Sequence, residues 1–533
     1  AERLALDGLS VDLSNQKDTF VRSTSFSLHV EVASVFCETM SSAPTPTGDA
    51  KPVILAEHDE HAMDDVKAED KATDEAATTR DENWRRASAS LVRKLDVTLM
   101  PIIWVLYLFN YLDRTAIAQA KLNTITEDLH LTGEQFSTSV SLLNVGYMMM
   151  QVPSNMILTR VRPSLYLPIR ACVWSGVSAA TATVHNFGQL LAVRCVLGIA
   201  EAPFFPGVFY LLSCWYIRSE LGLRMAILYS GLLVATAFSG LIAAGVFSRL
   251  DQALGLAGWR WLYIIIGCTN FFLALCAFAL LPDFPESGTG SQKWLLTEEE
   301  RRVAVERIRA DAVPQESNRS VWWGFRRAVA DYRTWVFIFM LLCNHAAYGF
   351  NYFFPSIVKT FNFGSDTITL LCTAPPFLIG AIVSLFVSRS SDKRNERSIH
   401  IAVPMFTSIV GFSISAGTTN GPARYAASFL YVTGCFAANG LVYSWAAGVL
   451  NQAPEKKAVA TGMMNVLAQL GNIMSPYFFR ERDEPRYTLA MILLIAFAAL
   501  SGLTCVFLKR DLTRANRKLL AHGGTTAPKL FTT

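Results

Sequence analysis

From about residue 97 onward the chain is a series of long apolar runs. They lie near 97–117, 136–158, 164–184, 188–212, 223–248, 259–281, 334–355, 367–388, 399–417, 422–446, 458–478 and 487–508. A hydrocarbon core about 30 Å thick takes roughly 20 helical residues to cross, and each run is of that order. Lipid offers no partners to a bare peptide group, so such runs must close their hydrogen bonds as helices. The expected fold is all-α, a membrane protein with twelve transmembrane helices. Most connections are short. The segment 282–333 is long and strongly charged, and it divides the twelve spans into two six-helix bundles, 95–281 and 334–508. Residues 1–94 are expected to form a disordered N-terminal tail, and 509–533 a short C-terminal one. The first methionine is Met40, and natural translation is expected to begin there. Residues 1–30 have no sustained apolar core, so no signal peptide is read.

Composition sharpens this picture. The chain has 533 residues, 52% hydrophobic and only 17% charged. A soluble domain carries about 25% charge. The net charge of +4 is unevenly spread, with residues 57–82 acidic, so it gives no argument for a nucleic-acid partner. Nine of ten cysteines fall in or beside apolar runs and read as small buried hydrophobes, not a disulfide framework. No metal-ligand spacing is present. Lys and Arg are asymmetric between the two sets of loops. The loops on the side of the termini hold 19 and those opposite hold 8. By the positive-inside rule, both termini and the central segment are expected to be cytoplasmic.

Within the central segment, TEEERRVAVERIRA reads as a helix opened by a capping box of Thr297 and Glu300. VWWGFRRAVADYRTW interleaves aromatics and arginines. It reads as an amphipathic helix at the membrane surface, or alternatively as a solvated linker. Pro203 and Pro206 are expected to kink the fourth span. The glycines of the fifth span are expected to allow close packing.

Two charged pairs lie inside apolar spans. Asp113 and Arg114 sit in the first, Arg194 and Glu201 in the fourth. Each charge costs about 2.5–3.5 kcal/mol on insertion scales, so such groups usually face a wet cavity and serve function. Arg194 and Glu201 are seven residues apart and share a helix face, about 10 Å apart along the axis. A carboxylate near an arginine can exchange a proton while the arginine holds an anion. The competing reading is a static salt bridge that pins helices together. Weaker signals are polar stripes in the second span (Asn144, Tyr147, Gln151), the seventh (Asn344, His345, Tyr348, Asn351) and the eleventh (Asn465, Gln469, Asn472). Interhelical hydrogen bonds explain them as well as a substrate cavity does. His345 is either a titrating group or a neutral, hydrogen-bonded one.

FNYLDRTAIAQAK, GYMMMQVPSN followed by RPSLY, RCVLGIAEAPFFPG followed by WYIRSELGLRMAILYSG, AGWRWLYIIIG, WLLTEEERR and SPYFFRERDEPRY together resemble the major facilitator superfamily. Within it they resemble the anion:cation symporter family, in its fungal allantoate-permease and nicotinate-type branch. The resemblance covers roughly residues 95–510. The loop signature of the superfamily is degenerate after the second span (TRVRPS). It is better kept after the eighth (SDKRNERS), where Asp392 and Arg397 would be gating contacts. The resemblance implies two bundles rocking around a midplane site. It implies proton sites at Asp113 and Glu201, carboxylate binding by Arg114 and Arg194, and a cavity lined by Tyr111 and Tyr147. Asn144, His345, Asn351, Asn465 and Asn472 are further candidates for substrate contact.

The expected function is proton-coupled uptake of a small organic anion, such as a vitamin-like or other monocarboxylate, at the plasma membrane. The chain is expected to act as a monomer, with no cofactor and no enzymatic activity. A compact aromatic or aliphatic carboxylate is favoured slightly over a sugar acid. Rival expectations are an exporter or organellar carrier on the same fold, and a sensor that no longer transports. Retention of both carboxylates argues against the sensor.

Overall fold

The computed structural model describes residues 56–158, 161–311, 321–394, 396–450 and 454–521. The chain divides into two compact units at residues 80 and 81, and every apolar span lies in the second. The expected tail falls largely outside the described residues, and from Ala56 the backbone is helical. The question of Met40 also lies outside them.

The helices are α1 (Ala56–Ala120), α2 (Gly133–Leu158), α3 (Pro163–Ala180), α4 (Phe187–Glu201), α5 (Phe204–Trp215), α6 (Arg218–Leu250) and α7 (Gly258–Leu280). Next come α8 (Glu298–Asp311) and α9 (Val321–Ala330). The second half holds α10 (Tyr332–Tyr348), α11 (Phe354–Lys359), α12 (Asp366–Arg394), α13 (Ser398–Gly417), α14 (Gly421–Val449), α15 (Pro454–Met474) and α16 (Thr488–Ala521). Twelve helical segments thus stand where twelve spans were expected. Among the described residues, nine are long and apolar enough to cross a membrane, counting α4 with α5 and α10 with α11. The other three are α2, α3 and α15. The composition of α2 shows why: Ser137, Ser139, Ser141, Asn144, Gln151 and Ser154 lower its hydropathy, yet all six are buried in the protein and spare the lipid.

The fourth span breaks as expected. Pro203 and Pro206 have no N–H to donate, and α4 ends at Glu201 before α5 resumes at Phe204. The seventh departs from the continuous 334–355 expected. It is α10, a tight five-residue turn at Gly349–Phe353, then α11, with Pro355 in the first turn of α11. Asn351 therefore sits on the turn and not on the helical stripe. Gly349 lies against the Ser475 side chain with no room for a Cβ.

In the first half α2 and α4 cross at two glycines. A Cβ on Gly146 would overlap the Cys195 carbonyl. One on Gly198 would overlap the Leu143 carbonyl and lie 2.8 Å from the Tyr147 nitrogen. Both obstacles are backbone and cannot move aside cheaply. This crossing sets Tyr147 beside Glu201.

The central segment is two pieces, one per half. In the first, Thr297 and Glu300 close the capping box reciprocally, at 2.8 and 3.3 Å. Glu300 also accepts from Lys94 and Ser90, both at 2.7 Å, which ties α8 to α1. Partial burial tends to raise the Glu300 pKa, but these bonds outweigh it and hold it below the ordinary range. Arg307 pairs with Glu220 of α6 at 2.5 Å. In the second piece, α9 lays Gly324 and Ala328 on the start of α15, and Asp331 pairs with Lys456. Trp322 is 60% exposed and Phe325 and Val329 are also exposed, so the other face of α9 is apolar and open. This amphipathic pattern is the one expected of the segment.

The halves meet at the face opposite the termini. Ser137 donates to the Pro476 carbonyl (3.0 Å) and Ser141 to that of Ile473 (2.7 Å). Tyr477 bonds Thr138 at 3.2 Å, and Lys121 approaches Glu481 at 4.0 Å. Gly240 of α6 packs without a Cβ's width against Leu370 and Thr373 of α12.

On the face of the termini, Glu396 accepts from Ser398 (2.6 Å), the Ile399 N–H (3.0 Å), His400 (3.1 Å) and Lys509 (2.9 Å). Partial burial works to raise its pKa, but the bonds from Ser398, Ile399 and Lys509 prevail and hold it near about 2. A carboxyl depressed below its ordinary 4.5 stabilises the fold fully above pH 4.5, and the contribution fades as pH falls toward 2. Glu396→Gln should therefore cost on the order of 1–3 kcal/mol at pH 7. Thermal unfolding in detergent should show the gap between variant and wild type closing between pH 5 and pH 2. Gly198→Ala should push α2 from α4 and cost about 1–3 kcal/mol in the same assay.

Candidate functional site

The charged residues singled out in the first and fourth spans form one buried cluster. Arg114 of α1 donates from Nε to Oε2 of Glu201 at the end of α4, 2.6 Å away. Its guanidinium lies 4.4 Å from the ring centre of Tyr147 and 5.3 Å from that of Tyr111. Asp113, the next residue on α1, points to α3, where the Ser178 hydroxyl donates to Oδ1 at 2.6 Å. Arg194 points to α7, donating to the Tyr263 hydroxyl, its guanidinium 5.6 Å from that ring's centre. Asp113 lies within electrostatic reach of Glu201, Arg194 and Arg114. All four are buried, and two carboxylates balance two guanidinium groups.

Arg194 and Glu201 do share a face of α4, but each reaches to a neighbouring helix instead of to the other. Two turns of separation along one helix is farther than the gap to an adjacent helix. The partner of Glu201 is Arg114.

Three atoms of the cluster are buried without a hydrogen-bond partner: Asp113 Oδ2, Glu201 Oε1 and Arg194 Nε. Free acceptor capacity on both carboxylates gives a proton somewhere to bind. Free donor capacity on Arg194 suits an anion.

Beside the cluster lies a group of tyrosines that sequence reasoning only partly found. Tyr107 and Tyr111 come from α1, Tyr147 from α2, Tyr229 from α6, Tyr348 from α10, Tyr352 from the turn after it, and Tyr443 from α14. Tyr229 is within electrostatic reach of Tyr107, Tyr111, Tyr348 and Tyr443. Tyr352 bears on Arg114, Glu201 and Arg194, so the second half approaches the charges. Tyr111, Tyr229, Tyr348, Tyr352 and Tyr443 lie deep in the protein yet retain accessible surface. These partly accessible tyrosines, drawn from both halves, are the residues that would line a cavity there. Asn439 of α14 donates to the Tyr229 hydroxyl at 2.8 Å, a direct bond between halves. Fourteen of the sixteen tyrosines fall within the expected spans, so position in the sequence did not single out these seven. Their convergence needed the fold.

The polar stripes resolve individually. Asn472 of α15 lies 3.4 Å from His345 Nδ1 of α10 and donates to Gln469 at 2.9 Å, so the seventh and eleventh stripes face each other. His345 is buried and hydrogen-bonded. Asn465 accepts from Tyr443 at 3.3 Å. Asn351 is buried on its turn with Oδ1 unpartnered. Asn144 is buried and bonds the Val140 carbonyl of its own helix at 3.4 Å. Asn344 is buried with neither amide atom paired. Asp392 and Arg397 form a 2.5 Å ion pair at the face of the termini, in the α12–α13 link and apart from the cluster.

Residues 103–476 match the profile of the Major Facilitator Superfamily. This chain belongs to that superfamily. Among its relatives is the MFS-type transporter efuF of Hormonema carpetanum, 33% identical over 76% of this chain and 82% of that protein. The major facilitator-type transporter hxnP of Emericella nidulans is 30% identical over 81% and 87%. Solved structures share the fold. The inward-open xylose transporter XylE from E. coli superposes with a TM-score of 0.60 at 15% identity, over 78% of this chain and 96% of that one. A bacterial homologue of the human lysosomal transporter Spinster gives 0.59 at 16%, over 80% and 98%.

In this facilitator Arg114 is held by one carboxylate bond and two aromatic faces. Lysine at this position would keep the charge but lose the planar group that lies between two rings. Arg114→Lys should weaken ligand binding by about tenfold or more while the protein still folds. Binding to purified protein, with a monodisperse gel-filtration profile as control, checks this.

Proposed function

We propose that this facilitator is a proton-coupled symporter that takes up a small organic anion, in the anion:cation symporter branch. The observation that supports the reading is the Arg114–Glu201 pair beside a group of tyrosines contributed by both halves. A substrate carboxylate would engage Arg114 and draw it from Glu201. Glu201, buried and deprived of its cation, would then take a proton, because an isolated carboxylate is costly there. Arg194 would add a second donor to the anion, and Asp113 a second proton site. Anion and proton would cross together as a pair of low net charge.

The cavity wall supports a planar or compact carboxylate. Tyrosine rings supply stacking faces and a few hydroxyls, and a sugar acid would demand more hydrogen-bonding groups than they provide. Tyr111, Tyr147, Asn144, His345, Asn351, Asn465 and Asn472 are its proposed contacts. The excess of Lys and Arg on the loops of the terminal face supports cytoplasmic termini, and the plasma membrane is the proposed location. Asp392 and Arg397 would act as a gating pair on that face.

Uptake should be measured for a panel of small carboxylates in cells without their own carriers. One of them should be concentrated inward, more slowly as external pH rises. Glu201→Gln should lose concentrative uptake and keep counterflow. Normal accumulation by this variant would make Glu201 structural, and a flat pH profile would mean a uniporter.

A further inference from the structure

A further buried arginine lies outside the cluster, in the other half. By sequence Arg424 counts as a loop cation. In the structure it is on the second turn of α14 and only 1% exposed. Its Nη1 donates to Thr360 Oγ1 at 3.0 Å, and its guanidinium lies 4.9 Å from the centre of the Phe361 ring. Thr360 gives its own proton to the Ile357 carbonyl at 2.6 Å, so it meets Arg424 as a neutral acceptor. Nε and Nη2 are buried without any partner.

The surroundings deepen the imbalance. The groups within electrostatic reach of Arg424 are Tyr431, Tyr487 and a further cation, Arg486. Tyr487 spends its hydroxyl proton on Glu484. The Tyr431 hydroxyl is buried and also lacks a partner, under rings of Phe350 and Phe412 with centres 4.9 and 4.7 Å away. An arginine cannot shed its charge by losing a proton, and an uncompensated cation is expensive in a membrane interior. Two unpaired guanidinium donors and an orphaned hydroxyl, beside a neighbouring cation, make an attractive place for a negative charge.

We infer that Arg424 Nε and Nη2, with the Tyr431 hydroxyl, bind a small monovalent anion at the non-terminal end of the second half. This site is separate from the Arg114–Glu201 cluster. The shared chemistry fits a halide from solution or the carboxylate of a small organic acid.

The test is thermal unfolding of the full-length purified protein at constant ionic strength. Sodium HEPES is exchanged stepwise for sodium chloride in one arm and for sodium acetate in the other. The expected result is a saturable rise in unfolding temperature in at least one arm. It should vanish in Arg424→Gln and persist in Arg114→Lys. A rise in chloride assigns a halide, and a rise in acetate alone assigns a carboxylate. No rise in either arm, or a rise that survives Arg424→Gln, overturns the site. Crystals of the unmodified protein grown in sodium bromide give a readout that does not depend on the variant folding. An anomalous peak beside Arg424 Nε supports a halide site. If chloride raises the unfolding temperature and bromide is absent there, the site is refuted.

Discussion

Everything at the centre of this protein depends on keeping charge balanced where water is scarce. Arg114 and Glu201 meet at 2.6 Å with almost no access to solvent. Asp113 and Arg194 complete a neutral set of four. Removing one member of such a pair strands the other, which costs about 3–5 kcal/mol in buried pairs. Ordering is therefore strict, with every charge needing a partner at each stage.

The rest of the architecture holds that set in place and keeps it movable. The glycine crossing of α2 and α4 brings Tyr147 over Arg114. The proline break places Glu201 at the end of α4, where no further turn of that helix covers it. The halves are joined at the face opposite the termini by short hydroxyl bonds, and at mid-depth by Asn439 to Tyr229. These bonds are neutral, and Lys121 near Glu481 adds a charged contact on the face opposite the termini. The central segment respects the same division. Its first helix is fastened to the first half through Glu300 and Arg307, its second to α15 through Gly324 and Asp331.

Much of this was legible in the sequence, for identifiable reasons. A bilayer imposes one length and one secondary structure on any apolar run, so twelve spans and the six-and-six division could be read directly. Proline cannot continue a hydrogen-bond ladder, so the break after Glu201 was visible. The capping box of Thr297 and Glu300 is local, with both partners three residues apart. The cost of charge in hydrocarbon singles out Asp113, Arg114, Arg194 and Glu201 from residue type alone.

Tertiary structure alone decided who meets whom. Spacing along α4 put Arg194 and Glu201 on one face, but contact is set by the distance to the next helix. Arg114 won Glu201, and Tyr263 took Arg194. The tyrosine group is built from five spans, α1, α2, α6, α10 and α14, together with the turn after α10. No one-dimensional pattern records that convergence. Arg424 shows the same limit: a cation near a span end reads as a loop charge, and only packing shows it buried. The chain by itself determined which groups are too costly to be idle, because that cost depends on residue type and the surrounding solvent. The fold determined their partners, because partnership depends on distances between helices remote in sequence.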